Sequence, residues 1–167
     1  MQPAPLSGTG RVRADAAARA LAVDIFPRRP AGSLAEAAAV LGIREADIVK
    51  SLVVKRQDGA FLFALIPGDR QISWPKLRAA VGVNKLALPS PEVALAATGY
   101  ERGTITPLGS TTAWPVYADA AMTGQRVAMG AGEHGFSLFV DADDLLSSLN
   151  ATVTDISAPS AAPPATS

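Results

Sequence analysis

The chain has 167 residues, 49% of them hydrophobic and 18% charged, with a mean hydropathy of +0.22 and a formal net charge of zero. That length suits one domain, which can bury about 68–70% of its unfolded surface without help from a metal or disulfide. With no cysteine and a single histidine, His134, the chain cannot build thiol nucleophiles, thiolate zinc sites, disulfide frameworks or any site needing two histidines.

Met1–Gly8 and Ser157–Ser167 are rich in Pro, Ser, Gly and Ala and offer little to bury. Both are expected to be disordered, leaving residues 9–156 as the folded domain. Arg11–Val23 is Ala-rich, with Val12, Ala16, Ala20 and Val23 at helical spacing. Ser33-Leu-Ala-Glu36 is a capping-box pattern that opens a second helix, with Gly42 as its stop. Ile48–Lys55 and Ala60–Ile66 read as strands joined by Gln57-Asp58-Gly59, a hairpin signal. Ser73-Trp-Pro and Ser90-Pro-Glu open helices ending near Val81 and Thr98, because serine caps orphan amides and proline is tolerated in the first turn.

Gly99–Gly109 (GYERGTITPLG) is a glycine-punctuated loop. Strands follow at Ala113–Tyr117, Arg126–Met129, Phe136–Val140 and Thr152–Ile156, with a short helix at Ala142–Leu149 capped by Asp141. Helices and strands mix without βαβ alternation. This predicts an α+β single domain with a mixed, largely antiparallel sheet and flanking helices. No apolar run approaches the roughly 20 residues of a membrane span and the start lacks a signal-peptide pattern, so a soluble, cytoplasmic domain is expected.

The zero net charge hides an asymmetry. Residues 1–102 carry fourteen Lys/Arg against nine Asp/Glu, and residues 103–167 carry one against six. Folding can mix the halves into a neutral surface, or leave a basic face that attracts a polyanion such as nucleic acid.

The chain has no Gly-x-Ser-x-Gly elbow, no P-loop and no complete dinucleotide fingerprint. Asp141, Asp143 and Asp144 match no calcium loop and suit a helix first turn. Lys50 shares a strand face with Ile48, Leu52 and Val54, so it must snorkel, pair or point into a cavity. The loop Gly99–Gly109 is either a plain surface connection or a turn whose amides approach a ligand closely.

Four segments occur in a distinctive order: Glu36–Gly42 (EAAAVLG), Ile48–Lys55 (IVKSLVVK), Thr98–Gly109 (TGYERGTITPLG) and Gly132–Phe136 (GEHGF). Together with Val153-Thr-Asp-Ile156 they resemble the YbaK/ProX family of aminoacyl-tRNA deacylases, which includes the editing domain of bacterial prolyl-tRNA synthetases. The resemblance covers about residues 11–156. It implies a trans-editing hydrolase that cleaves the ester joining a wrong small amino acid to tRNA, with Cys-tRNA(Pro) foremost. A non-catalytic tRNA- or nucleotide-binding module of the same fold is the alternative.

The family's lysine falls on Lys50 and its Gly-x-x-x-Pro loop on Gly103–Pro107, so Lys50 and Gly103 are the implied catalytic positions. Phe26, Gly99, Tyr100, Thr104, Ile105, Thr106, Pro107, Gly109 and Gly132 are implied in substrate binding. Cysteine-specific relatives often carry tyrosine where this chain has Phe26, and some show Gly-Gly where it has Gly103-Thr104. The family's proposed chemistry is substrate-assisted, through a ribose hydroxyl or a cysteinyl thiol. No metal and no cofactor are expected. The implied partners are mischarged aminoacyl-tRNA and, as a further candidate, an aminoacyl-tRNA synthetase.

Overall fold

In the computed structural model, which describes residues 6–160, helix α1 spans Gly8–Ala18 and is capped by Ser7, whose hydroxyl accepts from the Gly10 amide at 3.1 Å. The expected helix at Arg11–Val23 therefore starts earlier and stops earlier. Ala20 adopts a left-handed φ of 56°, the Leu21 amide bonds back to Ala16, and Val23–Pro27 becomes strand β1. The alanine run carries helix propensity across this boundary, but pairing with a strand more than 100 residues away overrides it.

Helix α2 (Leu34–Leu41) ends at a left-handed Gly42, as its caps predict. Strands β2 (Val49–Arg56) and β3 (Phe61–Pro67) form the expected hairpin, paired from Val49↔Pro67 to Lys55↔Phe61. A short β4 (Arg70–Ile72) leads to α3 (Trp74–Val81), then β5 (Leu86–Ala87) and α4 (Pro91–Thr98). The serines before α3 and α4 each accept a backbone amide. Strand β6 runs Val116–Asp119 instead of Ala113–Tyr117, since Pro115 has no N–H and the preceding residues turn. Strands β7 (Arg126–Gly130) and β8 (Phe136–Asp141) match expectation, as does α5 (Ala142–Ser148), where Asp141 accepts the Asp144 amide.

Strand β9 covers only Thr152–Thr154, because the Ile156 amide turns to the buried carboxylate of Asp119 at 3.1 Å. The chain then forms β10 (Ser157–Pro159), antiparallel to β4. The folded body thus reaches Pro159, past the expected boundary at Ile156. The disorder expected for residues 1–5 and 161–167 falls outside the described residues.

Among the described residues the strands form three sheets. One is the antiparallel β1-β8-β7, one is the pair β10-β4, and one is the mixed β5-β2-β3-β6-β9, in which β3-β6 and β6-β9 are parallel. Strand β3 is buried on both faces. Phe63 and Leu65 enter the main core with α1, β8 and α5, while Leu62, Ala64 and Ile66 enter a smaller core with Leu77 and Ile156. Strand β2 pairs with β5 only at Lys55 and Arg56, so its first half is left free along the edge facing β7. A cavity opens there.

Candidate active site

The cavity has a volume of about 410 Å³ and lies between β2, β7, α4 and the Gly99–Gly109 loop. Its buried lining is mostly apolar, with Val49, Val53, Ala94, Ile105 and Met129 each under a tenth exposed and Ser137 a buried polar residue among them. Leu88, Pro89, Pro91 and Arg102 line its more open part, where Leu88 is 54% exposed. Among the described residues, the charged ones that line it are Arg28, Lys50 and Arg102, and no carboxylate or imidazole does so.

Lys50 and Gly103, from segments more than fifty residues apart, both line this cavity, and Ile105 joins them. Lys50 lies on the β2 face that carries Leu52 and Val54 toward the smaller core, and its Nζ donates to the Arg70 carbonyl on β4. Burial pushes its ammonium below the ordinary lysine value, with the nearby Asp69 carboxylate offsetting part of that shift. Gly103 has φ 91°. Nothing lies nearer than 4.0 Å to where a Cβ would sit, so its backbone conformation and not its lack of bulk calls for glycine. Among the described residues its amide has no hydrogen-bond acceptor, which leaves one free donor on the wall.

The remaining loop residues support the wall instead of lining it. Thr104 is 3% exposed; its hydroxyl and amide both donate to the Glu101 carbonyl, at 2.8 and 3.0 Å. Its side chain thus bonds back within the loop, and Thr104 does not line the cavity. Thr106 is fully buried and accepts the Leu108 amide. Pro107 lines a separate cavity of about 250 Å³ beside Trp114 and Tyr117. Tyr100 is 1% exposed, and its hydroxyl donates to the Leu108 carbonyl at 2.7 Å. Burial pushes that phenol up to about 12.

Gly99 and Gly109 mark the ends of the loop, and α1 clamps both. Arg11 Nε and Nη2 donate to the Gly109 carbonyl, Nη2 and Nη1 reach the Thr98 and Gly99 carbonyls, and the guanidinium lies 4.5 Å from the Tyr100 ring centroid. Asp15, one turn later, accepts the Gly109 amide at 2.8 Å. The middle of the loop rests on β7, where a Cβ on Gly130 would meet the Ile105 carbonyl at 2.7 Å. Gly132 donates to the Thr104 carbonyl and packs on Gly8 so closely that a Cβ on either would collide with the other's backbone. His134 is exposed and bonds Glu101 at 2.9 Å, tying the turn after β7 to the loop.

The structure does not bring Phe26 to the cavity. Alternation along β1 sends Ile25 into the core and Phe26 outward, where it is 51% exposed and meets Phe139 edge-on. Arg28, Arg102, Met129, Gly130 and Phe136 line the cavity although sequence reasoning did not single them out. A glycine inside a β-strand, as at Gly130, is the signal of close backbone approach that was available. The carboxylates at the start of α5 act as helix caps and turn acceptors, Asp143 taking the Gly124 amide. Among the described residues no acidic or histidine cluster suits a metal, and no helix is long and apolar enough to cross a membrane.

Comparison with known proteins bears on the same region. The family model of the aminoacyl-tRNA editing domain matches residues 28–147. A protein of Enterococcus faecalis provisionally assigned as the Cys-tRNA(Pro)/Cys-tRNA(Cys) deacylase EbsC is 30% identical over 117 residues, covering 70% of this chain and 71% of its own. Proline–tRNA ligase of Trichlorobacter lovleyi is 32% identical over 102 residues, which are 60% of this chain and only 18% of the ligase. A crystal structure of a protein provisionally assigned as a trans-editing enzyme for prolyl-tRNA synthetase superposes with a TM-score of 0.80 at 27% identity, covering 93% of this chain and 99% of that one. The α+β fold and the matched span agree, and the chain belongs to the aminoacyl-tRNA editing domain family.

Proposed function

We propose that this chain is a trans-editing deacylase, hydrolysing the ester between a small, wrongly attached amino acid and the 3′ end of a tRNA. The observation that carries the reading is the cavity itself: one apolar chamber edged by Lys50 on one side and by Gly103 on the other. Need for such an enzyme follows from the physics of recognition. A synthetase pocket separates side chains differing by one methylene by only about 1–3 kcal/mol, so some errors must be removed after charging.

Ester hydrolysis requires water to add to the acyl carbonyl, the resulting oxyanion to be held, and the ribose oxygen to leave with a proton. The free amide of Gly103 suits the second task, where one such donor is worth roughly 2.7–4 kcal/mol. Lys50 supplies positive charge at the cavity edge; engaging substrate requires its ammonium to exchange the Arg70 carbonyl for a substrate oxygen. Among the described residues no Asp, Glu or His lines the cavity to act as base. The proton transfers therefore fall to the substrate, through a neighbouring ribose hydroxyl; when the amino acid is cysteine, its thiol can instead attack its own ester, the new S–C bond replacing the C–O bond and the thiol proton going to the departing ribose oxygen. The mostly apolar lining favours a small uncharged side chain; the name of the Enterococcus relative favours cysteine, on tRNA(Pro) or tRNA(Cys), and those of the ligase and the solved structure favour a prolyl-tRNA context.

The test is a panel of mischarged tRNAs, including Cys-tRNA(Pro) and Ala-tRNA(Pro), incubated with catalytic amounts of protein. Multiple turnover on one or more members is the expected result. Binding without ester loss across the whole panel would overturn the reading.

A further inference from the structure

The cationic lining of the cavity exceeds what ester chemistry needs. Of the three cations, Lys50 is already engaged with the Arg70 carbonyl. Arg28 and Arg102 line the same cavity from the segment after β1 and from the Gly99–Gly109 loop, and among the described residues neither forms an ion pair. The Arg28 Nε is buried and, among the described residues, has no hydrogen-bond partner. Its side chain reaches only the Arg29 carbonyl, at 3.5 Å, while its backbone amide is fixed to Gly135. Arg102 is exposed, and its acidic neighbour Glu101 is turned to His134. A chain of zero net charge has thus gathered three cations and no carboxylate around one opening. All three come from the basic first 102 residues.

Two guanidiniums without carboxylate partners suit an anion with several oxygens, since the planar fork matches phosphate geometry. The exposed Leu88 and the half-buried Pro89 line the same cavity and supply apolar surface on which a base can lie. We propose that Arg28 and Arg102 form a phosphodiester-binding rim, which holds the single-stranded end of the RNA while its terminal aminoacyl group enters the chamber. This assignment rests on the deacylase reading for the identity of the RNA but not for its test, which needs no turnover.

The probe is an uncharged, fluorescently labelled RNA minihelix ending in single-stranded CCA, titrated with protein over a range of salt concentrations. For single strands, log K falls with log salt by about 0.7 per phosphate neutralised. The double variant Arg28→Gln/Arg102→Gln should bind about tenfold more weakly. Its slope should be shallower by about 0.7 if the pair shares one phosphate and by about twice that if it takes two. Arg28→Lys/Arg102→Lys should keep the slope, and Arg13→Gln, on the exposed face of α1, should change nothing. Should the double variant fold poorly, Arg102→Gln alone carries the test, because that side chain is exposed.

An unchanged slope, or an equal loss on a blunt minihelix lacking the CCA end, would overturn the rim. Arginine-dependent binding with no deacylation of any mischarged tRNA would overturn the deacylase reading and leave the rim standing. Deacylation with an arginine-independent slope would do the reverse.

Discussion

The two walls of the cavity are built by different physics. The β2 wall is held by a regular ladder, seven consecutive residues pairing with β3 from Val49 to Lys55, so Lys50 is placed by strand register. The loop wall has no ladder. Its ends are held by Arg11 and Asp15 from α1, across 87 to 98 residues of sequence, and its middle rests on the bare backbone of Gly130. A ladder distributes its support over many equivalent bonds, whereas the two ends of the loop depend on one guanidinium and one carboxylate. The β2 wall should tolerate substitution in position if not in chemistry, and the loop wall should fail at its anchors.

The largest effect is expected at Lys50. If its charge serves the substrate, Lys50→Ala lowers kcat/KM by about a hundredfold, since losing a half-buried charged contact costs roughly 2–5 kcal/mol. If the lysine only ties β2 to β4 through the Arg70 carbonyl, urea stability falls and kcat/KM stays near wild type. Next is Gly103→Ala. At φ 91° an L-residue is strained by about 1 kcal/mol or more, although no neighbour obstructs the added methyl. Turnover should drop at least about tenfold as the free amide loses its aim, while melting remains cooperative.

Arg11→Ala separates the walls directly. It strips the Gly99 and Gly109 carbonyls of their donor, leaves the Thr98 carbonyl to the Thr111 amide alone, and uncovers the Tyr100 ring, which should cost about 2–3 kcal/mol in urea unfolding and lower kcat severalfold. Arg11→Lys should recover little of this, because an ammonium cannot span the Gly99 and Gly109 carbonyls together. The smallest effect belongs to Tyr100. With its phenol raised to about 12, the folded state favours the protonated form, so this contribution is complete below the unfolded pKa near 10 and fades as pH rises from about 10 to 12. Tyr100→Phe should therefore flatten the alkaline part of the stability curve relative to wild type.

The same contrast explains what could be read from the sequence. Caps and turns are local, so Ser33, Gly42, Asp58-Gly59, Ser90 and Asp141 marked their elements correctly. The hairpin that carries Lys50 was legible for that reason. Strand β1, which begins where the alanine-rich stretch ends, was not foreseen, because only its pairing with β8 makes it a strand. Strand β10 was missed because a Ser-Ala-Pro segment has little strand character until β4 offers an edge. Phe26 was drawn into the site by family resemblance, while alternation along an unforeseen strand sends it outward. The anchoring role of Arg11 left no local trace, since a lone arginine on a helix gives no sign of the carbonyls it will meet. The family match begins at residue 28, after α1.

The parallel pairings of β3 with β6 and β6 with β9 give the molecule a folding order. Phe63 must find Val116, and Tyr117 must find Thr152, whereas β2 and β3 need close only a tight turn. Contacts distant in sequence form late, because the entropy of closing the intervening chain is spent before they return any stabilisation. The hairpin bearing Lys50 is therefore an early structure, and the contacts from Arg11 to Gly109 are among the last to set. During refolding, protection of the β2 and β3 amides from hydrogen exchange should precede protection of the Gly109 amide, and the chamber should gain its second wall only at the end.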